Sequence, residues 1–268
     1  MIHPTRLLFL HIPKSGGISM NSILQSNYDK KVCFGTKGMW QGNLDFHCLS
    51  DANKKSIRVL FGHFPFGIHT NLGDGSLEYF SILRSPLDRV LSAFHDVSTT
   101  TNHYLHSYIS QTGSNFQRLA QEGKWLGLDN CQVRMLSNSV NAPFGTLREE
   151  DLQNAKQNIE NYFPLIGTQD KFDEVLIELS LRYNWKNSFY RKLHVSQSRI
   201  NAEEISHVSR DIIQECNQLD EKLYSWVSER ASERFASGGE TYQTALNNFR
   251  RKNTRIARLF PGLHNWKA

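Results

Sequence analysis

The sequence has only four cysteines, Cys33, Cys48, Cys131 and Cys216, and no two stand at the spacing of a metal-ligand or redox pair. Neither a disulfide framework nor a zinc site is suggested, and the thiols read as buried or inert. Long apolar runs are missing too. Nothing approaches the ~18 consecutive apolar residues needed to span a bilayer, and Leu7 to Leu10 is too short for the core of a signal peptide. The expectation is a cytoplasmic chain with no membrane span. Internal repeats, low-complexity tracts and proline-rich linkers are also absent, which leaves no firm internal boundary. One domain over residues 1–268, with a helical extension from about residue 237, is the simplest organisation.

What is present fits an enzyme-sized globular protein. A chain of 268 residues can bury a substantial core, and its 39% hydrophobic and 21% charged residues set it apart from disordered or collagenous chains. The net charge of +5 favours anionic partners but does not choose among nucleic acids, acidic glycans, membranes and nucleotides. The densest basic cluster, Arg250, Arg251, Lys252, Arg255 and Arg258, reads as a solvated helix face, and no nucleic-acid partner is expected.

Apolar runs at Arg6 to Ile12, Ser56 to Phe61 and Tyr79 to Leu83 read as short buried strands, with Phe163 to Gly167 a candidate fourth. Helical patterns lie between them: Ile18 to Gln25, a helix opening at Ser85-Pro86, about Tyr104 to Glu122, about Arg148 to Asn161 behind a capping box from Thr146 to Glu149, and about Lys171 to Tyr183. In the second helix Ser85 caps, Pro86 takes the first position, and Leu87, Val90, Leu91, Phe94 and Val97 form the buried stripe. From Asn201 the pattern is helical, with a cap at Asn201 to Glu204, a new start at Asp220 and a stop at Gly238-Gly239. The expected fold is α/β: a P-loop-like parallel sheet flanked by helices, with a helical C-terminal third.

Two segments carry chemistry. His11-Ile12-Pro13-Lys14-Ser15-Gly16-Gly17-Ile18-Ser19 places two glycines and two hydroxyls between a buried strand and a helix. There, free N–H groups and the helix dipole favour an anion, and Lys14 adds a mobile cation. The lysine precedes the glycines, whereas a Walker A loop carries it after them, which argues against an ordinary nucleoside triphosphatase. In Leu83-Arg84-Ser85-Pro86-Leu87-Asp88-Arg89-Val90-Leu91-Ser92, an arginine at a strand end precedes a helix carrying a serine. Arg84 and Ser92 could close on one phosphate monoester; standing alone, they read as an ion-pair partner and a neutral helix residue.

The order HIPKSGGIS, FGHFPFG, FSILRSPLDRVLSAF resembles the sulfotransferases that use 3′-phosphoadenosine 5′-phosphosulfate (PAPS), in particular the carbohydrate group similar to heparan sulfate and uronyl 2-O-sulfotransferases. The resemblance continues through Asn130 to Leu136, Leu165 to Asp173 and Leu219 to Tyr224. It implies that the loop Lys14, Ser15, Gly16, Gly17, Ile18, Ser19 holds the 5′-phosphosulfate, that Arg84 and Ser92 hold the 3′-phosphate, and that His63 is the general base. Ser15 and Ile18 stand where that family often has threonines, and Ser85 where it often has aspartate. The acceptor implied is a hydroxyl compound, with carbohydrate the first choice.

His63 also stands after an expected strand end, where open α/β sheets place ligands, and imidazole can take a hydroxyl proton near neutral pH. His69 is a weaker substitute. His103 and His106 read as exposed helix residues without a third metal ligand. The expected reaction is in-line displacement at sulfur with Lys14 and loop amides neutralising the leaving oxygen, so no metal is required. The alternatives are a nucleotide or small-molecule kinase, which would need a Walker-type lysine and a magnesium carboxylate, and a non-catalytic binder of nucleotides or acidic glycans.

Overall fold

A computed structural model describes residues 6–36, 44–73, 75–113, 116–190 and 205–259. Five strands, β1 (Arg6–Leu10), β2 (Cys33–Gly35), β3 (Val59–Gly62), β4 (Leu77–Leu83) and β5 (Leu165–Thr168), form a parallel sheet in the order β2-β3-β1-β4-β5. Every residue of β1 is buried, as expected for the middle strand of a sheet covered on both faces. Alternate residues serve opposite layers. Leu8, Leu10, Leu60, Tyr79 and Ile166 join one apolar cluster, and Leu7, Phe9, Val59, Phe80 and Leu165 join the other.

The second layer packs on α1 (Gly17–Asn27), α9 (Phe172–Tyr183) and α12 (Gly239–Leu259), through Met20, Ile23, Val175, Leu176, Leu246 and Phe249. The first packs on α7 (Cys131–Ser137), α8 (Glu149–Tyr162) and α11 (Gln218–Ala236). A third cluster joins α4 (Pro86–Thr99), α5 (His106–Thr112), α6 (Phe116–Glu122) and α10 (His207–Cys216). Two short helices, α2 (Leu44–His47) and α3 (Asp51–Ser56), precede β3. No helix among the described residues is long and apolar enough to cross a membrane.

The α/β architecture agrees with the sequence reading, and the differences have local causes. Ser56 closes α3 instead of opening a strand, and Leu77 extends β4 backwards. Pro86 does start α4, with Val90, Leu91 and Val97 buried, but the Ser85 side chain makes no capping bond. The single helix expected over Tyr104 to Glu122 is two: α5 ends where Gly113 takes φ 55°. Thr146 does not cap α8, because its hydroxyl donates to the Pro143 carbonyl; instead the Asp151 carboxylate accepts from the Arg148 N–H at 2.8 Å. The expected cap at Asn201 to Glu204 lies outside the described residues. Ser206 caps α10 by accepting from Ser209 N–H, and α11 starts at Gln218, two residues before Asp220. The break between α11 and α12 falls at Ser237-Gly238, and Gly239, with φ 69°, opens α12, so the glycine pair marks the stop as expected.

Connections leaving β1 run toward β2, whereas those leaving β4 run toward β5. The carboxyl ends of β1 and β4 therefore diverge, which opens the crevice where sheets of this type bind ligands. The loops after both strands carry the residues singled out above.

Candidate active site

The loop after β1 is shaped by its own backbone. Lys14 takes φ 69°, a left-handed conformation unusual for a residue with a Cβ, and Gly16 at φ 85° is the N-cap of α1. The first turn of α1 carries no acidic residue, so no carboxylate of the helix itself competes for the free N–H groups of Gly17, Ile18 and Ser19. Ser15 is 1% exposed, and its hydroxyl is buried without a hydrogen-bond partner. A buried polar atom left unpaired is costly unless a ligand completes it. Ser19 is half-buried beside it, while Ile18 is 70% exposed and presents only its N–H usefully.

Gly17 has a separate steric reason. A Cβ there would lie 1.7 Å from Nε2 of His11, whose buried ring packs beneath the start of α1. Beyond β5, Gln169 and Phe172 close the other side of the loop: a Cβ on Gly16 would come within 3.4 Å of the Phe172 ring and 3.7 Å of the Gln169 amide nitrogen.

Arg84, the first residue after β4, is buried, and its Nη1 donates to the Lys14 carbonyl at 2.9 Å. This bond bridges the crevice and brings the two sequence segments together. Among the described residues it is the one partner of a guanidinium with five N–H donors. Ser92 is half-buried on α4. One turn further on, the Asp96 carboxylate lies 3.3 Å from the Lys14 ammonium, which puts the helix face shared by Ser92 and Asp96 toward the loop.

His63 follows β3 directly. Gly62 takes φ 138°, and a Cβ there would meet the Thr36 hydroxyl at 2.1 Å, so the chain turns into His63 where a side chain has no room. The His63 ring lies 4.2 Å from the His11 ring, centroid to centroid. Its Nδ1 is 2.7 Å from the His11 carbonyl oxygen. A carbonyl only accepts, so Nδ1 carries the proton and neutral His63 keeps its lone pair on Nε2. Burial lowers the His63 pKa below the ordinary imidazole value, opposed by the bond to His11 and helped by Lys14. His11 is held well below that value by burial, then by His63 and Lys14. Both rings are therefore neutral near pH 7.

His69 is not at this edge. Its Nδ1 is 2.9 Å from the Tyr79 hydroxyl, and Tyr79 pairs with Leu8 in the middle of the sheet. His103 and His106 are half-buried rather than exposed; His103 lies in the turn before α5, where its Nδ1 accepts from the Leu105 N–H. Sequence reasoning missed His11, Thr36, Asp96, Gln132, Thr168 and Gln169. The Thr36 and Thr168 hydroxyls, like that of Ser15, are buried without partners near strand ends. His11 was legible as a polar residue inside the first apolar run; the others depend on long-range packing.

Compared with known proteins, the chain matches the model of the sulfotransferase family over residues 1–227. No curated protein matches it.

Proposed function

The chain belongs to the sulfotransferase family, and we propose that it moves a sulfuryl group from PAPS to an acceptor hydroxyl, with carbohydrate as the acceptor class. The observation carrying this reading is the Arg84 to Lys14 bridge, which joins two candidate phosphate sites across one crevice. The residues present fit a nucleotide with two separate anionic groups. The unpaired Ser15 hydroxyl and the N–H groups of Gly16, Gly17, Ile18 and Ser19 suit a 5′-phosphosulfate. The remaining donors of Arg84 with the Ser92 hydroxyl suit a 3′-phosphate.

When bound, PAPS supplies an activated sulfuryl group whose partner in the broken bond is a phosphate oxygen. Lys14 stands at the mouth of the loop, and its ammonium would leave Asp96 to neutralise charge as it grows on that oxygen. The loop amides would share that charge, since they are fixed before reaction. Nε2 of His63 would accept the acceptor hydroxyl's proton, and His11 would hold the ring in the tautomer that allows it. An in-line geometry requires the base and the leaving oxygen on opposite sides of sulfur, which suits residues from the separate strands β3 and β1. Carbohydrate rests on the likeness of the three motifs to the 2-O-sulfotransferase group.

The test is a panel of uronic-acid polysaccharides, alcohols and tyrosyl peptides incubated with PAPS radiolabelled in sulfur. Label transferred to a polysaccharide hydroxyl, with stoichiometric release of adenosine 3′,5′-bisphosphate, is the expected result. Label on another acceptor class would correct the acceptor alone, and no donor turnover with any acceptor would overturn the reading.

A further inference from the structure

The ladder of β4 ends at Leu83, opposite Thr168, so among the described residues no strand pairs with the peptide groups of Arg84. They are nevertheless buried and must find partners. One side chain serves both. Gln132 accepts from the Arg84 N–H at 3.0 Å through Oε1 and donates to the Arg84 carbonyl at 2.9 Å through Nε2. A primary amide offers a donor and an acceptor side by side, as a neighbouring strand's peptides would, and Gln132 is 0% exposed.

Gln132 is itself braced. It lies in the first turn of α7, where the Asp220 carboxylate accepts from the N–H groups of Gln132 and Val133 at 3.1 and 2.8 Å. In return, Oδ1 of Asn130 accepts from the N–H groups of Leu219 and Asp220 at 3.0 and 3.1 Å. Each helix start is thus capped by a side chain from the other. Asn130 reaches this position with φ 44°, a conformation that asparagine tolerates better than most residues. The chain of contacts runs from α11 through α7 to the backbone of Arg84, and from there through its guanidinium to the Lys14 carbonyl.

We propose that Gln132, braced by Asp220, is a positioning residue that sets selectivity for a 3′-phosphate by fixing the Arg84 peptide at the mouth of the crevice. The inference rests on the reading of Arg84 as the 3′-phosphate ligand. A guanidinium on a long, flexible stem selects a phosphate only if its root is fixed, and among the described residues no hydrogen-bonded strand fixes this root.

The test compares adenosine 3′,5′-bisphosphate with adenosine 5′-monophosphate, which differ only in the 3′-phosphate, by calorimetry on the full chain. The variants are Arg84→Ala, Gln132→Met, the pair together, and Gln132→Asn, which keeps the amide one methylene short of Arg84. Melting curves establish which are folded. Gln132→Met is expected to lower the preference for the bisphosphate about tenfold while holding monophosphate affinity within about twofold, and Arg84→Ala is expected to cost much less in that background than in the parent. Gln132→Asn is expected to show the same selective loss and serves alone if the methionine variant does not fold. An unchanged preference in a folded variant, or equal weakening of both nucleotides, overturns the inference. If Arg84→Ala leaves the preference intact, the 3′-phosphate assignment itself falls, and the positioning role with it.

Discussion

His63 donates from Nδ1 to the carbonyl oxygen of His11 at 2.7 Å, and this bond fixes which nitrogen of the ring can act as a base. Burial also lowers the His63 pKa, so the neutral, active form persists to lower pH than for a free imidazole. The kcat/KM profile is therefore expected to lose activity on its acidic side through a pKa below the ordinary 6.5. In His63→Ala that acidic limb should vanish and turnover should fall by about 10² to 10⁴, with affinity for adenosine 3′,5′-bisphosphate unchanged. An acidic limb that survives in a folded variant would move the base elsewhere.

Gly17 is where the loop and the histidine pair meet. In Gly17→Ala the new methyl group would overlap the His11 ring at 1.7 Å, and a buried ring cannot give way without moving the backbone that holds His63. A loss of about 1–3 kcal/mol in stability is expected, as for other overpacked sites. Donor affinity and turnover should fall together, because the displaced elements serve both. A melting curve beside the kinetics checks this, and a variant with parental stability and rate would contradict the packing argument.

Asp220 makes a prediction of opposite sign to most carboxylates. Burial raises its pKa from 3.8 to about 6, despite Arg89 and two accepted N–H bonds that pull the other way. The folded state therefore holds this proton more tightly than the unfolded chain. Its contribution to stability is present below pH 3.8 and declines as pH rises toward 6. Asp220→Asn cannot titrate and keeps only one cap acceptor, so it should be less stable than the parent at pH 4, with the gap narrowing by about 2 kcal/mol by pH 7. Denaturant titrations at the two pH values measure this; a gap that widens with pH would show the anion to be the favoured form.

The sequence disclosed those parts of the molecule that depend on short stretches. The strand, glycine turn and helix over residues 6–27 were legible because a buried run, two glycines and a helical stripe follow in one segment. Pro86 marked the start of α4 for the same local reason. Strand β2 was not legible, since three half-buried residues carry no period. The cap of α8 moved from Thr146 to Arg148 because the Pro143 carbonyl had taken the Thr146 hydroxyl. At the site, Lys14 and Arg84 stood out through local sequence, but their bond spans 70 residues and the Asp220 brace on Gln132 spans 88. Such pairings are decided by how the sheet and helices stack, which no window of sequence contains.

The proposed chemistry depends most on Lys14, held at φ 69° at the mouth of the loop with its ammonium 3.3 Å from the Asp96 carboxylate. If that charge acts on the leaving oxygen, it matters more in the transition state than in the bound complex. The direct measurement is turnover of PAPS by Lys14→Ala with a competent acceptor, beside calorimetric affinity for adenosine 3′,5′-bisphosphate. Turnover should fall by about 10² or more, with affinity much less affected. Turnover within about threefold of the parent would contradict the assignment of this loop as the site of sulfuryl transfer.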